Sequence, residues 1–170
     1  IYSPEDFGLL NLFLSIGNVV LVISLADYYY SIVLPKEDKD AAALAHVSLV
    51  SLIVTVLLLT VSILFAHPIS ALFKSPKLET YYWLLPIYVF CMGGWNILNY
   101  WYIRHKQFGR ISGYQISQSV LSATGKLGFG YANVLSAGMI YSVVIAPVIS
   151  LISSLLIVRK KYLLPLLSFS

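Results

Sequence analysis

The chain has 170 residues, 59% of them hydrophobic and 11% charged, with a net charge of +4. A soluble domain needs about 25% charged residues to wet its surface, so water is not the main solvent of this chain. A single cysteine, Cys91, and three well-separated histidines, His46, His67 and His105, exclude a disulfide scaffold and a zinc module.

Five apolar stretches follow along the chain, at roughly 7–33, 41–66, 81–103, 111–133 and 136–158. Each is long enough to cross about 30 Å of hydrocarbon as a helix. Pro4, Glu5 and Asp6 are expected to open the first, and Pro35 with Lys36, Glu37, Asp38 and Lys39 to close it. Pro68 and Pro76 bracket the connection before the third. The run 49–65 is apolar on every face and lacks the alternation of a barrel strand. The expected fold is all-α, a polytopic transmembrane helix bundle of about five membrane-spanning helices, with residues 1–170 as a single transmembrane region.

Lys36, Lys39, Arg104, Lys106, Arg110, Arg159, Lys160 and Lys161 fall in loops on one side of this arrangement, whereas Lys74 and Lys77 fall on the other. Positive loops are retained in the cytoplasm, which places loops 34–40, 104–110 and 159–161 inside and Ile1 outside. The basic residues are explained by topology and lipid headgroups without nucleic acid. An outside start without a signal peptide predicts a fragment that lacks an upstream helix. The short apolar stub 162–170, too short to cross, predicts a missing downstream half.

The run Tyr2-Ser3-Pro4-Glu5-Asp6-Phe7-Gly8, then Ile32-Val33-Leu34-Pro35-Lys36 and an acidic loop, resembles polysaccharide biosynthesis proteins of the oligosaccharide flippase (O-antigen) type, within the multidrug, oligosaccharidyl-lipid and polysaccharide exporter superfamily. The run 99–108, Asn-Tyr-Trp-Tyr-Ile-Arg-His-Lys-Gln-Phe, and Gln115 to Ser119 after it are similar to that family's fourth-to-fifth helix connection. The resemblance covers roughly residues 1–130 and implies helices two to six of a larger transporter fold. It implies a multi-pass protein of the bacterial or archaeal cytoplasmic membrane, working in cell-envelope polysaccharide or lipopolysaccharide biosynthesis on a lipid-linked oligosaccharide. Family members often carry a basic residue and then an acid before the Ile-Val-Leu-Pro run. Here Asp27-Tyr28-Tyr29-Tyr30-Ser31 stands there, so no role of that charge pair carries over.

Lys126 is the first candidate, because an ionisable group within a span is costly and faces protein or water. Gln115, Ser119, Ser122, Lys126 and Asn133 all fall within about 40° of Gln115 on a helical wheel and form one polar stripe. Such a stripe is expected to line a substrate path in which Lys126 attracts an anionic group such as a diphosphate. The alternative is that Ser and Gln bind neighbouring helices while Lys126 snorkels to the outer headgroups, about 10 Å away. Arg104, Lys106 and Arg110 form a basic cytoplasmic loop, read either as a phosphate-attracting surface or as topology alone. Asp27, near the cytoplasmic end of the first span, is the candidate for proton or sodium coupling; the alternative is a hydrated or paired interfacial acid. Pro86, Gly93, Gly94 and Pro147 are candidate bending points. Gly125, Gly128 and Gly130 are candidate points of close helix approach.

The leading expectation is a transporter segment that moves a polyprenyl-diphosphate-linked oligosaccharide between leaflets, a substrate class that comes from the resemblance. A noncatalytic scaffold or another exporter of the superfamily is the alternative. A membrane enzyme acting on lipid-linked sugars is disfavoured, since no nucleophile with an adjacent base is visible and Glu37, Asp38 and Asp40 alternate with lysines. No metal site, cofactor or catalytic residue is expected.

Overall fold

The computed structural model describes residues 2–25, 28–132 and 135–157. Helix α1 (Pro4–Leu25) begins at a reciprocal cap. The Ser3 N–H donates to Asp6 Oδ2 at 2.9 Å and the Asp6 N–H to Ser3 Oγ at 3.2 Å. Pro4 needs no partner at the first helical position, and Glu5 and Asp6 suit the positive end of the helix dipole. Asp6, Leu10, Phe13, Gly17, Leu21 and Ser24 recur at spacings of three and four and are buried, while Val19, Val22 and Ile23 point outward.

α1 ends at Leu25, well short of the expected 33, and a 3-10 turn follows over Tyr28–Val33. Ile32 is fully buried there, and the rings of Tyr29 and Tyr30 meet Tyr100 at 5.1 and 4.9 Å. Helix α2 (Asp38–Ser62) starts earlier than expected, because Asp38 and Asp40 favour a helix N-terminus instead of a loop. Ala41, Ala45, Ser48 and Leu52 form its inner face, and Val50, Val54, Leu57, Leu58 and Val61 face out. A 3-10 extension over Ile63–Phe65 and two short helices, α3 (Ala66–Leu72) and α4 (Pro76–Tyr81), complete this end.

After a 3-10 turn over Tyr82–Leu84, helix α5 (Leu85–Arg104) forms the centre of the bundle. Leu85, Val89, Ile97, Leu98, Trp101 and Tyr102 are buried in it, and α1, α2, α6 (Phe108–Tyr131) and α7 (Leu135–Ile157) all pack against it. Pro86 lies at the first turn of α5, where its missing N–H breaks no helical bond, so it is not a bending point. Pro147 does lie inside α7.

Glycine sets two of the packing distances. A Cβ at Gly93 would collide with the Leu52 methyls, and one at Gly125 would come within 2.9 Å of Ser142 Oγ. These contacts bring α5 onto α2 and α6 onto α7, where close van der Waals packing drives association inside a membrane. Gly128 has open space beside it and Gly130 is buried, so of the three expected approach points Gly125 sets a close contact and Gly128 does not.

The described residues contain helices and turns without a strand. Pro4–Ser24, Asp38–Leu72 and Ala137–Leu156 are long and apolar enough to cross a membrane. α5 and α6 have comparable lengths of 20 and 24 residues but are less apolar. The architecture is an all-helical membrane bundle.

Candidate functional site

The charged ends sort as the loop charges predict. At one end Arg104 is a hub, with a side chain only 11% exposed. Its Nε–H donates to Asp38 Oδ1 at 2.9 Å, and its terminal nitrogens donate to the carbonyls of Ile32 (3.4 Å), Pro35 and Lys36 (3.3 Å). His105 Nε2 stands 4.0 Å from Asp38 Oδ2. The loops around 34–40 and 104–110 therefore lie at the same end. At the opposite end Lys77 pairs loosely with Glu5 at 3.8 Å, and His67 Nδ1 lies 3.0 Å from Glu79 Oε2. The Tyr2 hydroxyl donates to the Lys126 carbonyl, which brings the far end of α6 to the same side as the start of α1.

Of the basic residues singled out for phosphate, Arg104 spends four of its five N–H donors on this clamp. Its place is a structural one, holding the 28–37 segment to the end of α5. Lys106 is exposed and takes a left-handed backbone, φ 55°, in the turn between α5 and α6. Arg110 is half-buried, its guanidinium carbon 5.7 Å from the centre of the Tyr102 ring. It lines a cavity of about 290 Å³ between the start of α6 and the end of α7, together with Gly113, Ser117, Ser150, Ser153 and Ser154.

The polar stripe lies on the open side of α6. This helix packs chiefly on α7, through Ser117 and Gly125, and meets α5 over a smaller contact, through Tyr114 on Trp95. Gln115 and Ser119 are exposed, and Ser122 and Lys126 are half-buried. No carboxylate among the described residues pairs with Lys126. Ile116, Val120 and Leu127 are also exposed, so a polar strip runs beside an apolar one. Asn133, the last member of the stripe, and Asp27, the coupling candidate, both lie outside the described residues.

Sequence reasoning missed the serines of α7. Ser150, Ser153 and Ser154 stand at spacings of three and four, so they share one helical face, which was the available signal. Ser117 donates to Ser150 Oγ at 3.2 Å, and Ser154 Oγ lies 3.3 Å from the Tyr102 hydroxyl. Tyr114 was missed as well; it stacks on Trp95 with ring centres 3.4 Å apart and planes 6° apart.

No curated protein and no solved structure matches the chain. A family described as polysaccharide biosynthesis protein matches residues 1–169, so the likeness extends past residue 130 and takes in α7. The chain belongs to this polysaccharide biosynthesis protein family.

Proposed function

We propose that the chain is part of a multi-pass transporter of the cytoplasmic membrane, with all five long helices crossing it. It carries a polyprenyl-diphosphate-linked oligosaccharide to the outer leaflet, and the reaction is translocation without bond chemistry. A proton or sodium gradient is the coupling source in this reading. Family membership supports a role in polysaccharide biosynthesis.

The observation that carries the transport reading is the open polar face of α6. Gln115 and Ser119 are exposed and Lys126 has no acidic partner among the described residues, all on a helix of a membrane bundle. An unsatisfied amide facing hydrocarbon costs several kcal/mol, and a lysine at the bilayer centre about 2.5 to 3.5 kcal/mol on insertion scales. Such a face suits a hydrophilic path that admits a glycan and a diphosphate while the lipid tail stays in the bilayer. The sign of the charge favours an anionic cargo over the cationic drugs of other exporters, which call for acids along the path.

The test is translocation of a fluorescent lipid-linked oligosaccharide by the full-length protein in proteoliposomes. Lys126→Ala is expected to lower the initial rate at least about tenfold at unchanged protein level. An unchanged rate removes Lys126 from the path. Loss of all translocation by the wild-type protein, with intact binding of a partner protein, favours a scaffold instead.

A further inference from the structure

We infer that Asn11, Ser15 and Asn18 form a neutral hydrogen-bonding track on α1 that binds the sugar hydroxyls of the lipid-linked oligosaccharide, with Tyr88 as the residue that orients Asn18. On a helical wheel Ser15 and Asn18 stand about 40° and 20° from Asn11, on the side of α1 turned away from the buried Phe13 and Gly17. All three side chains are exposed. Among the described residues the Asn11 amide and the Ser15 hydroxyl have no hydrogen-bond partner, and Asn18 has the Tyr88 hydroxyl alone.

Depth rules out the headgroup zone. Pro4–Ser24 is long and apolar enough to cross a membrane, and Asn11 and Asn18 each lie seven residues from an end of α1, about 10 Å of rise. A lysine can extend to a headgroup from such a depth, but the short asparagine side chain cannot. Hydrocarbon offers these amides no partner. Close helix pairs in this bundle meet through Gly93 and Gly125, whereas Val19 and Val22 stand exposed beside the carboxamides and would hold a second helix away.

The chemistry selects the glycan. A carboxamide offers an acceptor oxygen and two N–H donors, and a serine hydroxyl offers both functions. Sugar hydroxyls likewise donate and accept. α1 carries no charged residue after Asp6, so a diphosphate finds no counter-charge on this face, in contrast to Lys126 on α6. The track runs about 10 Å along the axis from Asn11 to Asn18, enough to meet successive sugar rings. A glycan enters the bundle only on the transport reading proposed above, and the track rests on that reading.

Tyr88 is placed to orient Asn18. It is 5% exposed, its ring packs edge-on to Phe13 at 5.8 Å, and its hydroxyl donates to Asn18 Oδ1 at 3.4 Å. A Cβ at Gly17 would stand 2.7 Å from the Tyr88 ring, so glycine at 17 lets the ring lie against α1 and reach the next residue. With its oxygen engaged by Tyr88, Asn18 turns its two N–H donors to the open side.

The experiment measures binding to the full-length protein in nonionic detergent by native mass spectrometry, with two probes: a polyprenyl diphosphate bearing an oligosaccharide, and the same polyprenyl diphosphate without sugar. Leucine resembles asparagine in its branching and suits a membrane helix. Asn11→Leu and Asn18→Leu are each expected to weaken the glycosylated probe at least about tenfold while leaving the bare diphosphate within about twofold of wild type. Tyr88→Phe should weaken the glycosylated probe about threefold without effect on the bare diphosphate, a selectivity that a general loss of packing would not produce. Unchanged binding of the glycosylated probe in the leucine variants overturns the inference, and so does an equal loss of both probes. A wild-type dimer that Asn11→Leu or Asn18→Leu dissociates overturns it too, because the face then joins two copies of the chain. Wild-type protein that binds neither probe refutes the transport reading and the track with it, whereas binding of both probes with unaltered selectivity in the variants refutes the track alone.

Discussion

Replacing Arg104 by lysine separates a clamp from a loose attracting charge, because lysine keeps the charge and loses the planar fork. The magnitude follows from the four bonds. The contact with the Pro35 carbonyl is charge-assisted and part-buried, a class that contributes about 1.5 to 3 kcal/mol. The bonds to Ile32 and Lys36, at 3.4 and 3.3 Å, are long and add only fractions of that. Asp38 is 61% exposed, so its pairing adds below about 1 kcal/mol. Arg104→Ala is therefore expected to cost about 3 kcal/mol and Arg104→Lys about 2 kcal/mol, because one ammonium reaches one acceptor of the set. Asp38→Asn should cost less than about 1 kcal/mol, with a coupling energy to Arg104 of the same small size. The assay is equilibrium unfolding of the full-length protein in mixed micelles, followed by circular dichroism. Arg104→Lys at wild-type stability would refute the clamp, and a cost for Asp38→Asn as large as that of Arg104→Ala would put the energy in the ion pair instead of the carbonyls.

Two packing predictions use the same unfolding assay. Gly93→Ala drives a methyl into the fully buried Leu52 and should cost about 1 to 3 kcal/mol, with part of the loss recovered in the Gly93→Ala, Leu52→Ala double variant. Tyr114 is 3% exposed and its hydroxyl has no hydrogen-bond partner among the described residues. Tyr114→Phe should therefore leave stability unchanged or raise it, whereas Tyr114→Ala, which removes the stack on Trp95, should cost about 3 kcal/mol or more. A Tyr114→Phe cost above about 1 kcal/mol would show that the hydroxyl is bonded.

Helix existence was legible because apolar length alone decides it in a membrane, and the start of α1 was legible because Pro4, Glu5 and Asp6 are residues that favour a helix N-terminus. The end of α1 was not. The segment 28–34 is as apolar as the helix before it, and the turn there is held by Arg104, far away in sequence at positions that pair 66 to 72 residues apart. The same bonds explain why Arg104 reads as a loop charge in sequence and is a structural hub in the fold. The stripe on α6 was legible because a helical wheel needs only one helix. The cavity at Arg110 was not, because it takes Tyr102 from α5, serines from α7 and two glycines of α6 to make it.

The open face of α6 forces a choice between three surroundings. Facing lipid, the Gln115 amide alone would cost several kcal/mol, and Lys126 and the serine hydroxyls would add to it. That sum is comparable to the whole stability of a folded domain, about 5 to 15 kcal/mol, so lipid is excluded for the stripe though not for Ile116 and Val120 beside it. Water and covering protein remain, and they differ in access. Ser119→Cys, an exposed site on the stripe, should react with a membrane-impermeant maleimide if the face lines a hydrated path, and Val120→Cys, 54% exposed on the adjacent strip, should not if it meets lipid. The reading requires the two neighbouring positions to differ in labelling rate by at least about tenfold, since a thiol reacts as a hydrated thiolate. Equal slow labelling would mean that protein covers the stripe, and its serines and glutamine then act as interhelical hydrogen-bond partners. The substrate path would in that case have to lie on another face of the bundle.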